Sequence, residues 1–133
     1  METRTLFCAV TLCVALASCA PIQPLDGLAT SSQTCNGATC EIDVSVKGSD
    51  IVVVDYVIVG NHQTVNMIWR LPNDSPYTLK IEIIGGDGEF DCRSNGPRQF
   101  HCNNRHTVAK VYKYWVKLDG PNHLEKDPFI VND

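Results

Sequence analysis

The feature that most constrains this chain is a series of short alternating segments, each cut off by turn residues, beginning at Cys40. Ile42, Val44 and Val46 alternate with Glu41, Asp43, Ser45 and Lys47, the period of a half-buried strand with one wet face. Gly48-Ser49-Asp50 turns the chain, and residues 51–59 are β-branched and apolar at both parities, as in a strand covered on both sides. Val65, Met67, Trp69 and Leu71 then alternate against Asn66 and Arg70. Beyond the turn cluster Pro72-Asn73-Asp74-Ser75-Pro76, Tyr77, Leu79, Ile81 and Ile83 alternate against Thr78, Lys80 and Glu82. Residues 108–118 are the most regular segment, with Tyr112, Tyr114, Val116 and Leu118 on one face, and residues 128–131 make a short last strand. No window has a helical period. Seven or eight short strands between turns predict an all-β fold, a single Ig-like antiparallel β-sandwich spanning residues 35–133.

The first 34 residues do not share this pattern. Residues 6–16 form an apolar run too short to span a bilayer and suited to a signal peptide. The run closes on Leu16-Ala17-Ser18-Cys19, which resembles the lipobox of bacterial lipoproteins. The resemblance implies a lipoprotein signal peptide at 1–18, removal of Cys8 and Cys13 with it, and a diacylglyceryl thioether on Cys19 that ties the chain to a membrane. Ala20 after that cysteine resembles the outer-membrane sorting pattern, so the expected location is a bacterial cell envelope, facing the periplasm or the cell surface. Ala15-Leu16-Ala17 could instead serve an ordinary signal peptidase and release a secreted protein starting at Ser18. Residues 19–34, with Pro21, Pro24, Gly27 and Thr30-Ser31-Ser32, have no period and read as a flexible tether.

Cys35, Cys40, Cys92 and Cys102 remain for the folded body. In an exported chain four cysteines mean two disulfides with three possible connectivities, and proximity favours Cys35–Cys40 and Cys92–Cys102. Four thiolates around zinc are disfavoured, because no Cys-x-x-Cys spacing occurs. Phe90-Asp91-Cys92 and Phe100-His101-Cys102 read as two arms of a hairpin around the turn Asn95-Gly96-Pro97, both phenylalanines sharing the cysteines' face and pointing into the core.

Cys40 to the C-terminus resembles a group of small exported bacterial proteins read as Ig-like or cupredoxin-like sandwiches. The resemblance rests on Trp69-Arg70-Leu71, the two Phe-x-Cys arms, Tyr112-Lys113-Tyr114-Trp115-Val116 and Asp127-Pro128-Phe129-Ile130-Val131-Asn132. Trp115 stands where a small β former is expected. These are core and corner motifs, so they imply a fold and no activity.

Candidate chemistry is sparse. A blue-copper site needs two histidines and a free thiolate, usually with an axial methionine. Cys102, His106 and His62 have a loosely suitable spacing, but Cys102 has a disulfide partner in Cys92 and no methionine follows Met67, so the histidines read as exposed loop residues. Residues 85–91 superficially resemble glycine-aspartate calcium repeats without repeating; a glycine-rich turn is the plainer reading. No Gly-x-Ser-x-Gly and no paired acids appear, so neither an enzyme nor a metal or other cofactor is expected.

What remains is charge asymmetry. No acid lies between Asp91 and Asp119, whereas Arg93, Arg98, Arg105, Lys110, Lys113 and Lys117 do. Arg93, Arg98, Arg105, Lys113, Trp115 and Lys117 therefore form the candidate binding surface, suited to an anionic glycan, a lipid headgroup or an acidic protein. Alternatively, Trp115 covers a sheet edge and the lysines blunt an exposed edge strand. A tethered exported domain does not meet nucleic acid. The expected function is a lipid-anchored, disulfide-stapled monomeric module for binding or envelope structure. The alternative is an inhibitor of an exported hydrolase, a lysozyme or protease, with the 92–102 hairpin as plug and Arg98 near its tip.

Overall fold

The computed structural model describes residues 30–60 and 63–133. Cys19, the signal peptide, most of the expected tether and His62 lie outside the described residues. Every regular element described is a strand, as the alternation requires: β1 (Ser32–Cys35), β2 (Thr39–Asp43), β3 (Ser45–Lys47), β4 (Asp50–Val52), β5 (Tyr56–Val59), β6 (Val65–Arg70), β7 (Thr78–Ile83), β8 (Phe90–Ser94), β9 (Gln99–Asn104), β10 (Lys110–Asp119), β11 (His123–Lys126) and β12 (Phe129–Asn132). A six-stranded sheet runs β1-β5-β12-β10-β11, with β7 on the other side of β10. A four-stranded sheet runs β2-β6-β9-β8, and β3-β4 form a separate ribbon.

The all-β sandwich is as expected, but its strand count and directions differ. Two expected strands are each split: one at Val44, whose N–H donates to Arg70 O, and residues 51–59 between β4 and β5. At the second break Asp55 bonds the Ser31 N–H and hydroxyl, and the chain passes from the β3-β4 ribbon into the six-stranded sheet. Val52 is 46% exposed, so this stretch is not covered on both sides throughout. The pairings β1–β5, β5–β12 and β2–β6 are parallel, which corrects the purely antiparallel expectation. Alternation reports which face is buried and carries no information on strand direction.

β1 falls within the stretch read as tether. Ser32, Gln33 and Thr34 have no apolar period, yet they pair with Tyr56, Val57 and Ile58. Backbone hydrogen bonds and the Cys35 staple hold them, neither of which a hydropathy pattern registers. β11 and β12 keep one continuous register against β10, broken at Asp127-Pro128, where proline has no N–H to donate. β10 is therefore the central strand of its sheet, and its lysines do not guard an edge.

The core lies between the sheets. Ile42, Val65, Met67, Trp69, Phe100 and Cys102 face Val57, Val59, Leu79, Ile81, Tyr112, Tyr114, Val116, Leu118 and Ile130. At its centre Trp69 and Tyr114 pack at 5.4 Å, and the indole Nε1–H donates to the Tyr114 hydroxyl at 3.3 Å. Burial pushes the Tyr114 phenol well above its ordinary range, so it stays neutral and able to accept that bond. The two disulfides brace this core differently. Cys35–Cys40 joins β1 of one sheet to β2 of the other, whereas Cys92–Cys102 spans directly opposed residues of the β8-β9 hairpin. Gly96, at φ 82°, supplies the left-handed residue of the hairpin turn. Phe100 is buried, while Phe90 is half-buried and packs edge-on against Tyr112 at 5.0 Å. Two disulfides suit an oxidising, extracytoplasmic type of environment.

Candidate functional site

The six residues of the expected binding surface are divided between two faces. Lys113, Trp115 and Lys117 point outward from the middle of the six-stranded sheet, between the buried Tyr112, Tyr114, Val116 and Leu118. Arg93 lies on β8, at the far edge of the other sheet, and Arg98 is at the hairpin tip. Arg105 follows β9, its N–H donating to Glu89 O. Nor is the basic tract free of acids in space. Lys113 pairs with Asp127 at 2.6 Å and Lys117 with Glu82 at 2.8 Å, acids contributed by the break between β11 and β12 and by β7. The sequence tract lacks acids because β10 takes its counter-charges across the sheet, so these lysines do not form a bare cationic patch.

Glu82 accepts from Lys117 and Lys80, and those bonds hold its carboxyl at about 2, below the ordinary 4.5. A lowered folded-state value stabilises the fold above the ordinary glutamate range, and the effect is lost as pH falls through about 2. The melting-temperature gap between wild type and Glu82→Gln should be full at neutral pH and close between about 4.5 and 2. A gap that persists at pH 2 would show that the ion pair is not its source.

What the sheet places beside Trp115 was not apparent in the sequence. Strand register aligns Ser32, Tyr56, Phe129 and Lys113 in one outward row, and Thr34, Ile58, Val131 and Val111 in the next. Tyr56 and Phe129 stack at 5.4 Å, and the Lys113 ammonium sits 5.8 Å from the Trp115 ring centre. None of Tyr56, Ile58, Phe129, Val131 or Trp115 belongs to the core cluster, and Val111 is 54% exposed. A sheet face open to water ordinarily alternates polar-out; this one carries three aromatic and three aliphatic side chains. The parity of Tyr56 and Ile58 against Val57 and Val59 was a usable signal, hidden because both parities are apolar.

The outer face of the four-stranded sheet has the opposite chemistry. Asn66, Asn103 and Asp91 form one row across β6, β9 and β8, and Ile68, His101 and Arg93 form the next. A shallow groove of about 270 Å³ lies over Asn66, Asp91, Arg93, His101 and Asn103.

At one end of the sandwich buried polar groups join the sheets. Asn104 of β9 and Asn132 of β12 exchange amide hydrogen bonds at 2.8 and 3.2 Å. His106 is 3% exposed, with its ring against Asp133 O at 2.9 Å, so it is not the exposed loop histidine the sequence suggested. A left-handed backbone (φ 52°) turns it inward, its N–H donating to Asn104. Glu89 of the glycine-rich turn is also buried. Burial raises its pKa, but bonds from the Thr107 N–H and hydroxyl outweigh that and leave it lowered. Its carboxylate is thus committed to the fold, which argues against the calcium reading. Cys102 is bonded to Cys92, which removes the thiolate a copper site would need. Among the described residues no group of three or more His, Cys, Asp or Glu side chains is placed to hold a metal ion.

No family model matches the chain, and no curated protein matches it.

Proposed function

We propose that this is an exported binding module, held to a membrane through a lipid on Cys19, that docks an envelope protein on the outer face of its six-stranded sheet. The observation that carries the reading is the outward row of Tyr56 and Phe129 beside Trp115, bordered by Ile58, Val131 and Val111. Apolar aromatic centres with charged rims are the anatomy of protein interfaces, and tryptophan and tyrosine dominate their energetics. Here the rim charges are already paired, as Lys113–Asp127, Lys117–Glu82 and Lys126–Asp55, which disfavours a simple polyanion or a lipid headgroup as occupant. The anchor rests on the Leu16-Ala17-Ser18-Cys19 resemblance to a lipobox.

The hydrolase-inhibitor reading loses its main support. Arg98 Nε donates to Ser75 O, Arg98 O accepts from Leu71 N–H, and Pro97 O accepts from Leu79 N–H. The hairpin tip is tied back onto the body instead of projecting as a plug.

One experiment addresses anchor and face together. A photoreactive residue replaces Val111 or, on the other sheet, Glu41, in cells supplied with labelled palmitate. The reading expects palmitate on the protein, its loss in Cys19→Ala, and one discrete crosslinked protein from position 111 only. Trp115→Ala combined with Phe129→Ala should weaken binding of that purified partner about 30-fold or more, as loss of hot-spot residues does. Palmitate retained by Cys19→Ala, or equal crosslinking from both faces, would refute the corresponding half.

A further inference from the structure

The groove on the four-stranded sheet has a feature the aromatic face lacks. Among the described residues, no side-chain hydrogen bond or ion pair engages Asn66, Asp91, Arg93 or Asn103. Asp91 and Arg93 share a face two residues apart on β8 and yet do not pair. Glu41, on the same face, is bound to Arg70 at 2.9 Å. His101 Nε2 is held near Asn95 Nδ2 and Gln99 Oε1, both at 3.2 Å, which fixes its ring beside Arg93. Ile68, 7% exposed, lies in the same row.

We infer that this groove binds a carboxylate-bearing saccharide. A guanidinium presents a planar fork that matches a carboxylate bidentately, a fit that a lysine does not provide. Asp91 can only accept hydrogen bonds, and sugar hydroxyls donate them. Asn66 and Asn103 each offer donors and an acceptor, matching hydroxyls in either role. The rows are about 6.8 Å apart along the strands and the strands about 4.8 Å apart, the footprint of a pyranose with an exocyclic carboxylate. With one carboxylate and one imidazole the groove is poor in metal ligands. No Phe, Tyr or Trp ring lies among its lining residues, so the carboxylate and the hydroxyls, rather than stacking on a large ring, supply recognition. An open site of this kind holds one sugar weakly, with a dissociation constant on the order of 1 mM, and gains strength from a chain of several units.

The inference is independent of the protein-docking face and is tested without it. The exported, disulfide-bonded protein, isotope-labelled, is titrated with D-glucuronate, D-glucose and acetate while backbone amide resonances are followed. Glucuronate should shift the amides of Asn66, Asp91, Arg93, His101 and Asn103 saturably, at least tenfold more tightly than glucose or acetate. Arg93→Gln, an exposed change that should leave the rest of the spectrum intact, should reduce glucuronate to the level of glucose. Asp91→Asn should weaken glucose, while for glucuronate the loss of the acceptor is offset by relief of carboxylate–carboxylate repulsion, so the preference for glucuronate should rise. Equal affinity for glucuronate and glucose would overturn the carboxylate assignment. Equal affinity for acetate would reduce the site to a bare anion contact, and shifts mapping elsewhere would remove the site altogether.

Discussion

Trp69→Ala is expected to destabilise the fold by about 3–5 kcal/mol, the range for removing a large buried aromatic. Trp69 is fully buried on β6 and meets Tyr114 of β10 across the sandwich, so the substitution opens a cavity where the two sheets contact. It also strips the Tyr114 hydroxyl of its donor, in a site where an unsatisfied polar group costs a further 1–3 kcal/mol or so. Trp69→Phe separates these effects: it keeps much of the ring volume and loses the Nε1–H, so about half the cost should remain. Because a domain of this size has only about 5–15 kcal/mol of stability, Trp69→Ala should lose a large share of it and melt at least about 15 °C below wild type by circular dichroism, with faster proteolysis. A variant that melts within a few degrees of wild type would mean the sheets do not meet at this pair.

Reduction of both disulfides is the second large effect. Each closes a short loop, of sequence separation 5 and 10, and in the chain-entropy model each contributes about 2–3 kcal/mol. The two should not be equivalent in where they act. Losing Cys35–Cys40 loosens β1, whose other ties include its parallel pairing with β5, the Ser31–Asp55 bonds at its base and the Gln33 side-chain amide donating to Glu41 O of β2. Amide exchange should then rise first at residues 32–35 and along β5. Losing Cys92–Cys102 should instead loosen β8, an edge strand with an exposed face, and leave β1 protected. Separate Cys→Ser pairs followed by hydrogen exchange read this directly. Identical exchange patterns in the two variants would contradict the assignment of one staple to each region.

The sequence was most legible where burial alternates. The Val65, Met67, Trp69 and Leu71 series, the inward Tyr112, Tyr114, Val116 and Leu118, and the opposition of Cys92 and Cys102 all follow from a period of two, and all are observed. Strand direction and sheet order were not legible, since pairing such as β5 between β1 and β12 is settled by long-range contacts between residues with unremarkable local patterns. The polar strand β1 illustrates the limit, its identity residing in backbone bonds and a disulfide. The same limit explains the candidate sites. Charge proximity in sequence grouped Arg93 with Lys113 and Lys117, although they occupy opposite sheets. Tyr56, Phe129 and Trp115 came onto one face only when β12 paired parallel with β5 and antiparallel with β10. A local repeat such as the two Phe-x-Cys arms brings its cysteines opposite each other across one short turn; an outward row assembled from three distant strands has no such local signal.

Oxidative footprinting of aromatic side chains tests the docking face most directly, because Tyr56, Phe129 and Trp115 are themselves the reporters. Hydroxyl radicals are generated in pulses on the purified protein and on the same protein in intact envelopes, and labelling is compared residue by residue. The account predicts that labelling of all three falls together in the envelope, while Val52, exposed on the β3-β4 ribbon away from both faces, is labelled equally in both. Undiminished labelling of Tyr56, Phe129 and Trp115, or protection confined to the opposite sheet, would contradict it.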